Sequence, residues 1–145
     1  MEGVAHSIQL ALAPVFMLTA IAGLIGALAG RLARIIDRAR KLEDRLDDAV
    51  TPHKREAEYR DELSRLRRRA RIVNASMLLL ALSATLISAT VMQLFLIEAV
   101  TLKSDRLIPW TFLSGVFCFL MALVAFLIET LLAGQSLNFG KRPIR

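Results

Sequence analysis

Three long runs of apolar residues most constrain how this chain can fold. They cover residues 8–30, 73–100 and 108–133, and Glu98 and Glu129 are their only charged residues. An α-helix rises about 1.5 Å per residue, so each run can span about 30 Å of hydrocarbon. Hydrophobic residues make up 55% of the 145, which is more apolar surface than one small soluble core can bury. The sequence therefore predicts an all-α, polytopic membrane protein with three transmembrane helices.

The first run differs from a secretory signal peptide. A signal peptide begins with a positively charged region and has a shorter apolar stretch. Here no Lys or Arg precedes Arg31, and the run is 23 residues long, from residue 8 to residue 30. We therefore expect this run to remain in the protein as its first membrane span.

Cationic residues are distributed unevenly among the connections between the runs. Residues 31–71 include fourteen Lys or Arg and nine Asp or Glu, whereas residues 101–109 include two cations and residues 1–30 include none. Cytoplasmic segments next to membrane spans are enriched in Lys and Arg. The pattern predicts that residues 31–71 and the C-terminal tail lie in the cytoplasm and that the N-terminus lies outside.

The expected organisation has six segments. They are a first transmembrane helix at 1–30, a cytoplasmic helical hairpin at 31–71, a second transmembrane helix at 72–100, a short external loop at 101–109, a third transmembrane helix at 110–134 and a cytoplasmic tail at 135–145. Trp110 then lies at the outer interface, where aromatic side chains commonly anchor a span.

Apolar residues in the charged segment recur at alternating spacings of three and four. One set is Leu32, Ile35, Ala39, Leu42, Leu46 and Ala49, and the other is Tyr59, Leu63, Leu66, Ala70 and Val73. This spacing is typical of a coiled-coil seam. Between the sets, Thr51-Pro52 fits an N-cap followed by proline at the first helical position. We therefore expect helices 1 and 2 to extend into a cytoplasmic antiparallel coiled-coil hairpin.

Charge is sorted along this predicted hairpin. Its distal part, residues 42–62, has four cations and eight acids and is named the acidic tip. Its membrane-proximal parts have ten cations against Asp37 alone. These cations, named the basic collar, are Arg31, Arg34, Arg38, Arg40, Lys41, Arg65, Arg67, Arg68, Arg69 and Arg71.

The two charged regions suggest two kinds of partner. A cation near an anionic membrane surface gains about 1 kcal/mol. We therefore expect the collar to bind anionic lipid headgroups, and we regard the acidic tip as a candidate contact for a protein partner. The collar residues assigned to headgroups are Arg38, Arg40, Lys41, Arg65, Arg67, Arg68 and Arg69. For a dedicated site at the collar, the favoured explanation is the simpler one, ordinary charge bias of a cytoplasmic segment with a solvated helix face, and a specific lipid, ion or partner site is the alternative.

A stripe of small residues follows the first span. At 100° per residue, Thr19, Gly23, Gly26, Gly30 and Ala33 share one face, almost opposite the side that should meet helix 2. Gly26 and Gly30 form a GxxxG pair, which permits close approach of two helix backbones in lipid. The stripe is expected to contact either the third span or another subunit.

Polar residues occur inside the second and third spans. Ser76, Ser83 and Thr90 form a stripe that is a candidate pore lining, although such hydroxyls also bond to carbonyls of their own helix. Glu129 lies near the inner end of span 3, on its small-residue face, where an acid is expected to meet protein rather than lipid. We favour an ion pair with the collar over a proton or cation site. The candidate partners of Glu129 are Arg31, Arg34 and Arg71.

The sequence lacks the usual signs of catalysis. With the single cysteine Cys118, and with His6 and His53 on opposite sides of the membrane in this topology, we expect no metal site and no cofactor. No phosphate loop or nucleophile–base spacing is present. We therefore expect no enzyme activity. The net charge of +6 comes without a nucleic-acid recognition motif, so we expect no nucleic-acid partner.

Several motifs resemble a known family. They are Ala13-Pro14-Val15-Phe16, Arg31-Leu32-Ala33-Arg34-Ile35-Ile36-Asp37-Arg38, Arg68-Arg69-x-Arg71-Ile72-x-Asn74-Ala75, and Glu129 with Ser136. With these motifs the chain resembles the bacterial membrane family catalogued as domain of unknown function 2721. The resemblance covers most of the chain and implies a bacterial inner-membrane protein, but it implies no particular activity.

Two hypotheses of function remain at this point. In the first, the protein is a homo-oligomeric membrane protein, such as an ion channel or pore, whose glycine-faced first helices lie close together. In the second, it is a non-catalytic adaptor or scaffold whose coiled-coil tip recruits a protein partner. A third and weaker interpretation makes the basic collar a sensor of anionic lipid.

Overall fold

The chain folds into three long helices. A computed structural model describes residues 2–47, 53–100 and 107–138, which form α1 (Glu2–Asp47), α2 (His53–Val100) and α3 (Leu107–Asn138). Each helix contains a stretch that is long and apolar enough to cross a membrane. The prediction of an all-α protein with three membrane-spanning helices is confirmed at this level, and the three spans support a multi-pass membrane protein.

Some predicted features lie outside the described residues. These are the N-cap at Thr51-Pro52, the heptad residue Ala49, and residues 101–106 of the predicted external loop. The same holds for residues 139–145 of the predicted tail and for the side chains of His6, His53, Glu98 and Ser136. Helix α3 begins at Leu107, three residues before the start of the predicted third span.

The contact between α1 and α2 is made by large apolar side chains. Its buried members recur every seven residues on both helices: Ile21, Leu28, Ile35 and Leu42 on α1, and Leu66, Val73, Leu80 and Ile87 on α2. A seven-residue repeat keeps one helix face against its neighbour over a long distance. This repeat explains why both helices continue without a break from the apolar runs into the charged segment.

The two predicted heptad sets lie at this contact. Leu63 is also buried, and four partly buried members pack against the buried cluster: Leu32, Ala39, Tyr59 and Ala70. Leu46 is half-buried. The two helices run antiparallel, because Arg38 on α1 bonds to Glu62 near the start of α2. Arg31, which precedes Arg38 on α1, and Arg69, which follows Glu62 on α2, both bond to the carboxylate of Glu129.

The contact between α2 and α3 includes buried small residues of both helices. Gly115 and Ala122 of α3 are buried, as are Ser76, Ser83 and Thr90 of α2. A Cβ built on Gly115 would lie 3.0 Å from Cγ1 of Ile87 and 3.3 Å from Cβ of Leu86. The absence of a side chain at Gly115 therefore lets the backbone of α3 approach α2 closely, which is the usual function of small residues between membrane helices.

Helix α2 lies between the other two. It packs against α1 on one side and α3 on the other, and no Cα of described α1 lies within 8 Å of a Cα of described α3. Most of the α1 surface that faces away from α2 is therefore open in the protomer. This arrangement also means that any direct link between α1 and α3 must be made by a long side chain.

Candidate functional site

Glu129 is the buried acid of the described structure. Its side chain is 1% exposed, and it lies seven residues after Ala122 on the face of α3 that packs against α2. A carboxylate in such surroundings is costly unless it is paired and hydrogen-bonded. The surrounding residues must therefore supply donors to both of its oxygens.

Two arginines supply these donors from two different helices. Nη1 of Arg31 on α1 donates to Oε2 of Glu129 at 3.0 Å, and Nη2 of Arg69 on α2 donates to Oε1 at 2.9 Å. Charge-assisted hydrogen bonds of this kind are about twice as strong as neutral ones. One carboxylate on α3 thus fastens all three helices at the level where their apolar runs end.

Arg31 also makes contacts that hold its side chain against α3. Nη1 lies 3.3 Å from Oγ1 of Thr130, to which it donates, and the guanidinium carbon lies 4.9 Å from the centroid of the Phe126 ring. That distance permits a cation–π interaction, which is stronger in surroundings poor in water. Arg31 therefore bridges α1 to α3 although the two backbones do not meet.

Arg69 is the site residue that sequence reasoning missed. We expected it to face lipid headgroups with the rest of the collar, but its side chain turns to Glu129. The signal was present in the sequence, because Arg69 lies seven residues before Ser76 and so extends the stripe that faces α3. Two of the expected partners, Arg34 and Arg71, form no bond with Glu129 or with any other described residue.

The remaining collar cations fall into two groups. Three are paired to acids of α1 or α2: Arg38 with Glu62, Arg65 with Asp61, and Arg67 with Glu43. These ion pairs are exposed, so each contributes roughly 0–1 kcal/mol. Among the described residues, Arg40, Lys41 and Arg68 have no such partner. Part of the collar charge is thus balanced by acids of α1 and α2, and part has no acidic partner among the described residues.

The serine–threonine stripe does not line an open path in the protomer. Ser76, Ser83 and Thr90 are at most 2% exposed. Ser83 donates to the carbonyl of Gly115 at 2.8 Å, whereas Ser76 and Thr90 donate to the carbonyls of Ile72 and Leu86 on their own helix. The stripe is buried because α3 covers it, and Ser76 and Thr90 follow the alternative of bonding within their own helix, so a pore lining by this stripe stays a prediction.

The small-residue stripe of α1 is open. We name Thr19, Gly23, Gly26, Gly30 and Ala33 the glycine face. Its members are exposed, and a Cβ built on any of the three glycines would have no atom within 4 Å outside its own helix. Of the two expected partners for this face, the third span is ruled out for the described protomer, because α3 packs on the far side of α2.

The described residues contain no group of three or more His, Cys, Asp or Glu that could hold a metal ion. Cys118 is a free, half-buried thiol on α3. The chemistry of the candidate site is therefore that of one carboxylate and several guanidinium groups: it can bind ions and fasten helices, and it can attract anions.

A comparison with known protein families matches residues 11–139 to the family described as "Protein of unknown function (DUF2721)". The chain belongs to this family. The matched range includes the three candidate membrane spans of the DUF2721 chain, which begin at Ala11, and the residues Arg31, Arg69 and Glu129. The resemblance drawn from the sequence motifs is thus confirmed. Searches of the curated proteins and of the solved structures found no match to the DUF2721 chain.

Proposed function

We propose that this protein acts as a non-catalytic homo-oligomer in the membrane, in which α1 helices of neighbouring subunits meet along the glycine face. The size of the exposed side chains on α1 carries the proposal. Between Phe16 and Ile36, a stretch that is described throughout, α1 exposes no large hydrophobic side chain. Its exposed residues there are small, apart from Arg34.

The outer surface of α3 is of the opposite kind. It exposes large hydrophobic side chains along its length: Leu107, Trp110, Leu113, Phe117, Leu120, Met121, Val124, Leu127, Ile128 and Leu131. Large side chains fill the space between a helix and flexible lipid tails. Small residues instead favour helix association, because van der Waals packing drives contact between helices in lipid. The contrast supports lipid as the neighbour of α3 and protein as the neighbour of α1.

An ion pathway, in this proposal, runs between subunits rather than through one. The polar stripe of α2 is covered by α3, and both oxygens of Glu129 accept bonds from arginines. A path between subunits would be tested by ion flux into liposomes that contain the purified protein. The channel form predicts flux that Gly26→Leu abolishes. If wild-type liposomes are silent, the channel form is wrong while the oligomer proposal stands.

The oligomer is tested by measuring subunit number in lipid nanodiscs by native mass spectrometry. We expect wild-type protein to be oligomeric and Gly26→Leu to be monomeric, because the added side chain keeps the helices apart. Gly134→Leu is the matched control, since Gly134 is an equally open glycine on α3, and it should remain oligomeric. A monomeric wild type, or equal effects of the two substitutions, would rule out the glycine face as the contact.

We also propose that the hairpin of α1 and α2 is an antiparallel coiled coil in the bacterial cytoplasm, with the N-terminus outside the inner membrane and the C-terminus inside. The seven-residue repeat at the α1–α2 contact and the excess of collar cations support this orientation. A membrane-impermeant thiol reagent should label Asp44→Cys in inverted membranes but not in intact cells, in a Cys118→Ser background. Labelling in intact cells would reverse the topology.

The second candidate function is an adaptor whose acidic tip recruits a protein. Asp44 and Glu58 favour it, because both lie on the tip and neither is bonded to another described residue. In contrast, Glu43, Asp61 and Glu62 are already paired to arginines. A photo-cross-linker at residue 44 should capture one distinct protein in cells, and Asp44→Lys with Glu58→Lys should abolish its binding. Capture of other copies of this chain alone would contradict the adaptor.

A further inference from the structure

A groove next to Glu129 collects positive charge from two helices. It has a volume of about 320 Å³. We name it the arginine groove, and its lining is Arg31, Arg34, Ile35, Arg38, Leu66, Arg69 and Glu129. The apolar residues Ile35 and Leu66 are buried in the α1–α2 contact, so the guanidinium groups stand on a packed base.

The charges that line the groove do not balance. Four guanidinium groups face one carboxylate, which leaves a net charge of +3, and Glu62, paired to Arg38 from outside the lining, lowers it to +2. Like charges at this spacing repel one another, more strongly beside an apolar span than in free solution. An anion with one or two negative charges would compensate the excess.

The groove also has donors that no described residue uses. Arg34 forms no hydrogen bond with a described residue, and Nε of Arg69 is buried without a partner among them. Arg31 and Arg69 each turn one terminal nitrogen to Glu129 and keep the other available. Buried donors are nearly always bonded in folded proteins, so an unused one beside a cationic groove points to an acceptor from outside the chain.

The position of the groove in the chain fits a ligand at the membrane surface. Arg31 directly follows the apolar run of α1, and Arg69 lies just before the apolar run of α2. The groove is therefore at the edge of the apolar layer, where lipid phosphates lie.

We infer that the arginine groove binds a phosphate group, carried either by an anionic lipid headgroup or by a soluble phosphate. The planar fork of a guanidinium matches two oxygens of a phosphate. The non-bridging oxygens of a phosphate can accept from more than one guanidinium group at once. The inference concerns a defined groove, in contrast to the diffuse attraction expected of the whole collar, and it holds whether or not the protein is oligomeric.

The test measures the thermal unfolding midpoint of the full-length protein, since a ligand that binds the folded state raises it. One arm uses nanodiscs of phosphatidylcholine with increasing phosphatidylglycerol. The other arm uses phosphatidylcholine nanodiscs with added inorganic phosphate, and matched chloride controls for ionic strength. A rise in the first arm alone assigns a lipid headgroup, and a rise in the second arm assigns soluble phosphate.

Arg34→Gln is the test variant and Arg71→Gln is its matched control. Both arginines are exposed, and neither is bonded to a described residue. Arg34 lies shortly after the apolar run of α1, and Arg71 lies shortly before that of α2. Only Arg34 lines the groove. Neither substitution removes a contact that the fold needs. Loss of one charge-assisted bond should weaken apparent affinity about tenfold in Arg34→Gln, whereas Arg71→Gln should change it less than about twofold, because diffuse attraction is screened by salt.

Equal losses in the two variants would overturn the inference, since diffuse surface charge would then account for binding. No rise in either arm would overturn it as well. Arg34→Lys separates charge from geometry: it should keep part of the affinity, because the ammonium attracts phosphate but cannot bind two of its oxygens in parallel.

Discussion

Two glycine-bearing faces of this protein are used in different ways. At Gly115 on α3, an added Cβ would lie 3.0 Å from Cγ1 of Ile87, so the glycine lets two helices of one protomer touch. At Gly26 on α1, an added Cβ would meet no atom within 4 Å. The spacing of small residues therefore identifies a face suited to close approach, but it does not identify the partner.

Helices α1 and α3 also place their large and small residues in opposite ways. Helix α3 buries the small residues Gly115 and Ala122 and exposes most of its large hydrophobic side chains. Between Phe16 and Ile36, helix α1 buries large side chains such as Ile21 and Leu28 and leaves the glycine face outside. Lipid does not select for glycine on a helix surface. The difference between α1 and α3 therefore supports the proposed protein neighbour for α1.

The largest effect is expected from Gly115→Leu, which breaks the inner glycine contact. The leucine would push against Ile87 and Leu86 and separate α3 from α2. We expect a loss of about 3 kcal/mol in the free energy of unfolding, at the upper end of the cost of overpacking. Unfolding in mixed detergent micelles measures it. Gly134→Leu is the control, and a loss as large in this variant would remove the distinction between closed and open glycines.

A second prediction concerns Glu129, which lies on the same α2-facing side of α3 as Gly115 and fastens the three helices. Glu129→Ala leaves Arg31 and Arg69 without their acceptor, and breaking a fully buried pair costs about 3–5 kcal/mol. Because the arginine side chains are 36% and 25% exposed and can rehydrate, we expect a smaller loss of about 2 kcal/mol.

Glu62→Gln serves as the comparison for this ion pair. It removes an exposed partner of Arg38, so the same unfolding measurement should change by less than about 1 kcal/mol. If Glu129→Ala were no more harmful than Glu62→Gln, the carboxylate would not be fastening α1 and α2 to α3.

The smallest effect should come from Ser83→Ala. This change removes the bond to the carbonyl of Gly115 between α2 and α3, and such bonds average about 0.6 kcal/mol in membrane proteins. Ser76→Ala removes a hydroxyl that bonds within its own helix, so its effect should be close to zero. A thermal unfolding series compares the two, and a larger effect at Ser76 would contradict the assignment of Ser83 to the interface.

The strongest sequence signals predicted the helices and the α1–α2 contact well. Large apolar residues such as Ile35, Leu42 and Leu66 recur at helical spacing, and a side chain of this size has few energetically acceptable positions other than a packed interface. That pattern also indicated that the glycine face points away from α2, as it does in the structure.

The polar residues were harder to place. A hydroxyl at Ser76 or Ser83 can face water, its own helix or a neighbouring helix. Sequence periodicity shows which face of α2 has the hydroxyl, but not which neighbour covers that face. In the same way, Arg69 could reach either lipid or protein. Its assignment to Glu129 depends on the distance between α2 and α3, which a single helix pattern does not contain.

The glycine face is tested most directly by cysteine cross-linking in native membranes. Gly26→Cys is compared with Phe117→Cys on the outer face of α3, both in a Cys118→Ser background and under oxidising conditions. A disulfide needs Cα atoms about 4.4–6.8 Å apart, a distance reached only where helices nearly touch. The account predicts a cross-linked dimer with Gly26→Cys and none with Phe117→Cys; no cross-link at residue 26, or equal cross-linking at both, would contradict it.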